Sequence, residues 1–185
     1  MKQYVALALA LAASIAIPSA APADLPQGQA APDFTTQIAL KGIAKPFNLK
    51  AALRNGPVVL YFYPKSFTAG CTLEAHAFAE ATKDFAAAGA TVIGLSADTI
   101  EVQKDFSRKD CRDKFAVGVA TPAIITGYDV HLKKADGTAS GKSTRTSYVI
   151  GRDGKVKLAF TDMNPNDHVR LALATVRALK AAKRH

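Results

Sequence analysis

Apolar residues along the chain fall into short runs and stripes whose periods name the elements they build. Val58-Val59-Leu60-Tyr61-Phe62-Tyr63 is β-branched and aromatic, bounded by Gly56-Pro57 and Pro64, which predicts a buried strand. From Thr72 to Ala88 the apolar positions Phe78, Ala81, Phe85 and Ala88 recur at i, i+3, i+7 and i+10, one face of a helix that Gly89 ends. Thr91 to Ser96 reads as a second buried strand, and Asp98 or Thr99 caps a helix running to about Arg108. Strand, helix, strand, helix in that order implies a parallel pair with right-handed crossovers. Ahead of this unit, Phe34 to Phe47 with Gly42 in its middle predicts a short strand pair, and Leu49 to Leu53 a helical turn. Behind it come a short strand at Phe115 to Val119, a turn at Thr121-Pro122 leading to a brief helix toward Tyr128, and a polar surface loop from His131 to Lys142. Thr146 to Ile150 and Val156 to Phe160 form a hairpin across Asp153-Gly154, a strong turn signal. Asn164-Pro165 supplies an N-cap and a first-turn proline for a last helix, striped by Val169, Leu173, Val176 and Leu179. The pattern amounts to an α/β fold, a central mixed sheet flanked by helices.

The first residues follow a different logic. Lys2 is a short positive region, Tyr4 to Ile17 an apolar one, and Pro18 to Ala23 a stretch of small residues. Ser19-Ala20-Ala21 or Ala21-Pro22-Ala23 serves as a small-x-small cleavage signal. The apolar stretch falls short of the ~20 residues that a membrane span needs, and no cysteine near the cleavage point offers a lipid anchor. The expectation is a cleaved signal peptide over residues 1–23, a short tether over 24–31 and one domain over 32–185. The protein is then exported, to the periplasm, with no stable membrane association. A net charge of +9 suits a soluble exported protein. It does not point to nucleic acid, because no basic stripe is interleaved with aromatics.

The chemistry gathers between the first long strand and the first long helix, in Pro64-Lys65-Ser66-Phe67-Thr68-Ala69-Gly70-Cys71-Thr72-Leu73-Glu74. A cysteine at a helix start meets unpaired N–H groups and the positive end of the dipole, which favour a thiolate. Cys71 and Glu74 also continue the core-facing stripe at its N-terminal end, Glu74 lying four residues before Phe78. Two readings of Glu74 stand at this point: a buried carboxylate that requires a cationic partner, or a solvated one that complements the helix end. The second cysteine, Cys111, lies in Ser107-Arg108-Lys109-Asp110-Cys111-Arg112-Asp113-Lys114, a polar run that reads as exposed. Two cysteines in an exported chain also suit a structural disulfide. Closing a loop of about 40 residues would contribute roughly 4 kcal/mol in the chain-entropy model. The settings of both thiols favour instead a bond that forms and breaks.

Pro64-x-x-x-Thr68-x-x-Cys71 with Glu74 three residues on resembles the active-site pattern of the peroxiredoxins, and Tyr61-Phe62-Tyr63-Pro64-Lys65 resembles their PrxQ (bacterioferritin comigratory protein) branch. The likeness runs from about Ala31-Pro32-Asp33-Phe34 to the last helix. It implies a thioredoxin-like fold and a thiol-dependent peroxidase. Such an enzyme reduces hydrogen peroxide and organic hydroperoxides without a cofactor or metal, acts as a monomer and is recycled by a thioredoxin-like reductant. It also implies site roles. Cys71 attacks the peroxide, Thr68 hydrogen-bonds the peroxide or sulfur, and Pro64 shields the site and fixes the turn. Arg145, matching the family's arginine on a later strand, stabilises the thiolate while Glu74 orients it. Lowering a thiol from its ordinary pKa of ~8.5 by two units requires about 2.7 kcal/mol, and a helix end supplies only ~1 kcal/mol of that; a guanidinium suits the remainder, being permanently charged with donors in a fixed fork. One version of the branch has a second cysteine five residues after the first, where this chain has His76. Other members carry the resolving cysteine on the next helix, which implies Cys111 and an intramolecular disulfide that forms with local unwinding.

Two rival readings use the same residues. A thiol–disulfide oxidoreductase on this fold wants Cys-x-x-Cys, but the position three before Cys71 is Thr68. A non-enzymatic metal module could draw on Cys71, His76 or His131, which lack structural-site spacing. The four histidines otherwise read as surface residues.

Overall fold

The computed structural model describes residues 25–182; the expected signal peptide, residues 1–23, lies outside them. In chain order the elements are β1 (Thr35–Leu40), β2 (Ile43–Asn48), α1 (Leu49–Leu53), β3 (Val58–Phe62), α2 (Ala69–Ala87), β4 (Thr91–Ser96), α3 (Ile100–Lys109), β5 (Ala116–Val119), α4 (Pro122–Gly127), β6 (His131–Lys133), β7 (Ala139–Ser143), β8 (Thr146–Ile150), β9 (Val156–Thr161) and α5 (His168–Ala182). Seven strands form one sheet in the order β2-β1-β5-β4-β3-β8-β9, with β6 and β7 in a separate ribbon. β3 pairs parallel with β4 and antiparallel with β8, and β4 pairs parallel with β5. The sheet is therefore mixed, as the pattern of runs predicts.

Every residue of β3 is buried, because β3 lies near the middle of the sheet with a hydrophobic layer on each face. Its side chains alternate between those layers. Val59, Tyr61 and Tyr63 join α2, α3 and α5 residues such as Phe78, Phe106 and Val176. Val58, Leu60 and Phe62 join Leu49 and Leu53 of α1 and Ile124 and Ile125 of α4. Tyr61 stacks on Phe78 at 4.4 Å between centroids, and Gly94 of β4 makes room for that ring, since a Cβ there would stand 2.6 Å from it. A strand that ends in a crowded layer delivers the following loop to a fixed place, and that loop carries Cys71.

Four details differ from the sequence reading. Residues expected as a tether are tied to the sheet: Gly28 N donates to the Val156 carbonyl and Ala31 N to the Gly154 carbonyl, both at 2.8 Å. The expected loop from His131 contains the β6–β7 ribbon, whose pairing breaks register between His131 and Lys133. α2 begins at Ala69 rather than Thr72, so Cys71 sits inside its first turn. α5 begins at His168 rather than after Asn164-Pro165, because the Asn164 amide turns back to the Asp162 carboxylate and the Asn166 amide to Asn164 Oδ1.

Candidate active site

Cys71 lies at the third position of α2, directly beyond the end of β3, with 2 % of its surface exposed. Its neighbour Gly70 is small for a reason visible in the packing. A Cβ at Gly70 would stand 3.0 Å from Arg145 Nη2, so the glycine lets a guanidinium close over the helix start. Arg145 precedes β8, which pairs directly with β3, and it is 3 % exposed. All three guanidinium nitrogens are engaged. Nη2 donates to Cys71 Sγ at 3.5 Å, Nη1 donates to Glu74 Oε2, and Nε donates to the Met163 carbonyl at 3.0 Å. Burial alone would lower the arginine's proton affinity, but Glu74 and Cys71 beside it raise it above its ordinary value. A fixed cation thus faces the sulfur in a dry site, where a charge acts most strongly.

The first reading of Glu74 is the observed one. It is fully buried and ion-paired to Arg145. Burial pushes its carboxyl up to about 8, with Arg145 opposing. Its other oxygen, Oε1, is buried with no hydrogen-bond partner among the described residues.

Thr68 occupies the N-cap of α2 without capping it through its side chain; its hydroxyl donates to the Lys65 carbonyl at 3.0 Å. That spends the hydroxyl proton and leaves the oxygen free to accept. Pro64 is half-buried at the exit from β3, next to Tyr63, whose N–H donates to the Leu95 carbonyl. Phe67, just before Thr68, holds a left-handed φ of 63°.

Cys111 departs most from expectation. It reads as exposed in the sequence, yet it is fully buried, in the same layer as Cys71, Phe106 and Phe115. The polar letters around it mark a helix end that doubles back. α3 stops at Lys109, the Asp110 and Cys111 amides both donate to the Phe106 carbonyl, and Asp113 N donates to the Ser107 carbonyl. That reversal turns Cys111 inward while Arg112 and Asp113 face out, and both adopt left-handed backbone, φ 52° and 58°. Burial, with Asp110 adding to it, pushes the Cys111 thiol well above the ordinary range. The two cysteines are unbonded.

Sequence reasoning missed two further groups. His168 is not a surface residue: it is fully buried, with Nδ1 2.9 Å from Ser147 Oγ and Nε2 2.9 Å from the Asp162 carbonyl. Its signal was available in the helix phase, since His168, Ala172 and Val176 recur every four residues and form the buried line of α5. The second group is a network that ties α3 to the loop before Cys71. Tyr63 Oη donates to Gln103 Oε1 at 2.7 Å, Gln103 Nε2 to Ser96 Oγ at 2.8 Å, and Ser96 Oγ to Asp98 Oδ2 at 2.8 Å. Asp98 Oδ2 also accepts from the Ser66 amide at 2.7 Å.

The residues of the metal reading are dispersed. His76 pairs with Asp110 and His131 with Thr126, and among the described residues no three His, Cys, Asp or Glu group to hold a metal ion.

A model of the AhpC/TSA family matches residues 27–159. The chain is 31% identical to peroxiredoxin Bcp of Bacillus subtilis over 151 residues, covering 81% of this chain and 94% of that protein. It is 34% identical to chloroplastic peroxiredoxin Q of Arabidopsis thaliana over 162 residues, covering 84% and 68%. Among solved structures, peroxidoxin BcpB from Mycobacterium tuberculosis superposes with a TM-score of 0.71 at 31% identity, over 83% of this chain and 97% of that one. Peroxiredoxin Q of Xanthomonas campestris superposes with 0.69 at 27% identity, over 78% and 90%. The fold is thioredoxin-like.

Proposed function

We infer the working cycle from one premise: the chain belongs to the AhpC/TSA family and is a peroxiredoxin, a thiol-dependent peroxidase. Peroxiredoxins use peroxide substrates and thioredoxin-like reductants. The observation that carries the cycle proposed for this chain is Arg145, one guanidinium holding Cys71 Sγ and the buried Glu74 at once. The Cys71 thiolate attacks the nearer peroxide oxygen. An S–O bond forms, the O–O bond breaks, and its electron pair leaves on hydroxide or alkoxide, which takes up a proton. Arg145 faces both the attacking sulfur and the charge that develops on the oxygens. Thr68 Oγ1, its own proton given to Lys65, accepts the peroxide O–H, and Pro64 walls the site. Phe67, Leu73 and Met163, three exposed apolar side chains whose own residues or immediate neighbours build the site, offer contact to the alkyl part of an organic hydroperoxide.

Cys71 sulfenic acid then condenses with Cys111, forming an S–S bond and releasing water. A buried thiol with raised proton affinity is a poor nucleophile, so Cys111 acts only after leaving its layer. The left-handed residues Phe67, Arg112 and Asp113 flank both cysteine-bearing segments. Such backbone costs on the order of 1 kcal/mol or more per non-glycine residue, and opening these turns would release that cost. A thioredoxin-like dithiol returns two electrons and two protons. The expected result is a Cys71–Cys111 bond within one chain in peptide maps after one equivalent of peroxide. Cys111→Ser should still consume the first equivalent at an unchanged rate, then stall. Maps showing no such bond, or sustained turnover of Cys111→Ser with a thioredoxin-like donor, would remove Cys111 from the cycle.

We further propose that the enzyme is exported to the periplasm. Support comes from the Lys2, Tyr4-to-Ile17 and small-residue pattern in the sequence. Mass spectrometry of protein from a native extract should find chains beginning at Pro22 or Asp24; intact Met1 to Ile17 would reject export by this signal.

A further inference from the structure

Behind the Arg145–Glu74 pair lies a titratable group that the cycle above does not use. His168 opens α5 and is fully buried. From β8, Ser147 Oγ meets its Nδ1; from the segment after β9, the Asp162 carbonyl meets its Nε2; from α2, Glu74 Oε1 stands 3.7 Å from Nδ1. The Phe160 ring of β9 covers one side at 4.8 Å between centroids. The charged groups acting on it are Glu74, Arg145, and the Asp162 and Asp167 carboxylates.

A carbonyl oxygen only accepts, so Nε2 carries a hydrogen in every state and the variable proton belongs at Nδ1. Ser147 Oγ is the hydrogen-bond partner of that nitrogen at 2.9 Å; 3.7 Å from it, just beyond hydrogen-bond reach, Glu74 Oε1 is a buried oxygen with nothing donated to it. An orphaned buried carboxylate oxygen is costly, and one proton in the gap removes that cost. We propose that Glu74 and His168 hold a single proton between Oε1 and Nδ1, so that Glu74 and Cys71 take turns as the counter-ion of Arg145, and that His168 is thereby a positioning residue of the peroxide-reducing site. This rests on the peroxidase reading given above.

Charge counting gives the reason. With Cys71 as thiolate, the buried cluster holds two negative groups and one guanidinium, and the shared proton brings it to neutrality. With Cys71 as sulfenic acid, Arg145 and Glu74 balance each other, and the proton would be an unpaired buried positive charge, so it leaves. Burial places it on the carboxyl, because it raises Glu74 and lowers His168 below the ordinary imidazole range. The electron and proton counts then close. Sulfur gives two electrons to the peroxide, the leaving oxygen takes one proton, the pair gives one up, and condensation with Cys111 releases water without exchanging a proton with solution.

The test is a proton count. Reduced full-length chain, free of reductant, is mixed with one equivalent of hydrogen peroxide in weak buffer with an indicator dye, at a near-neutral pH on the plateau of the rate–pH profile. Peroxide loss is followed in parallel. The wild type should take up close to zero protons per peroxide consumed, and Glu74→Gln close to one. His168→Gln keeps a donor for the Asp162 carbonyl but has nothing at the Nδ1 position. It should move from zero toward one, and shift the acid limb of its oxidation profile up by about one unit, tenfold in rate at fixed low pH. Uptake of one proton by the wild type overturns the proposal without reference to any variant. Wild-type stoichiometry and profile in His168→Gln overturn the role of His168. No peroxide consumption at all would overturn the peroxidase reading, and this inference with it.

Discussion

Cys71→Ser should abolish peroxide turnover, with an expected loss on the order of 10⁴-fold or more in peroxide consumption coupled to a thioredoxin-like reductant. Sulfur enters the cycle as a nucleophile that is oxidised, and a serine oxygen cannot accept the peroxide oxygen as a sulfenic acid does. Cys111 cannot take over. It is buried with its thiol pushed up, and Arg145 faces Cys71 instead. The folded state should barely notice the change, because Arg145 Nη2 offers the serine hydroxyl a hydrogen-bond donor. A thermal melt within a few degrees of the wild type, beside absent turnover, is the expected pair of results. Turnover within tenfold of the wild type would show that the peroxide meets another residue.

The reach of the sequence is seen in which side chains were recoverable from it. The Val58-to-Tyr63 run and the stripe behind Phe78 defined β3 and α2. Their phases put Glu74 in line with the core-facing stripe but left a buried and a solvated carboxylate equally open, and the structure takes the buried one. Arg145 came only from the likeness to a family motif: nothing in a strand-edge arginine announces that β8 pairs with β3 and carries it over the start of α2. Cys111 was misread for a local reason. A polar run predicts exposure on average, but the chain reversing at the end of α3 turns Cys111 inward while Arg112, Asp113 and Lys114 after it stay exposed. His168, Gln103 and Ser107 were overlooked for the complementary reason. Each is a polar residue at a buried helical position, where hydrophobicity alone shows a gap in the stripe rather than a member of it.

Two of those polar members, His168 and Gln103, lie beside the chemistry, whereas Ser107 serves the turn between β1 and β2. Tyr63, Gln103, Ser96 and Asp98 bind the loop before Cys71 to the front of α3, while Cys111 hangs from its far end. Buried networks of this kind are rigid when every member is satisfied. In the cycle proposed above, opening would then fall on the loop at Phe67 and the turn at Arg112-Asp113, with the body of α3 a fixed arm between the two thiols.

Arg145→Met has the second largest effect, and it separates stability from catalysis. In activity it should cost roughly 10²–10³-fold in the oxidation step, the size of loss seen when one preorganised donor to developing oxyanion charge is removed. Arg145→Lys should recover only part of this, since an ammonium cannot hold Sγ, Glu74 and the Met163 carbonyl together as the planar fork does. In stability, removing one partner of a buried pair costs about 3–5 kcal/mol when the other is left charged, but Glu74 has an escape. Its folded-state value of about 8 lies above the ordinary 4.5, so it contributes stability that is full below 4.5 and gone by the time pH has risen through 8. Between those limits, with Cys71 reduced, both proteins fold with Glu74 protonated, and the methionine leaves no bare charge. Above about pH 8 the wild type ionises Glu74 against Arg145 and loses no more, while the variant, with burial unopposed, goes on losing. Denaturant titrations should therefore show a gap between wild type and Arg145→Met that is modest at pH 6 and widens above pH 8. A gap that is constant or narrows with pH would mean that Glu74 is not the carboxylate Arg145 balances.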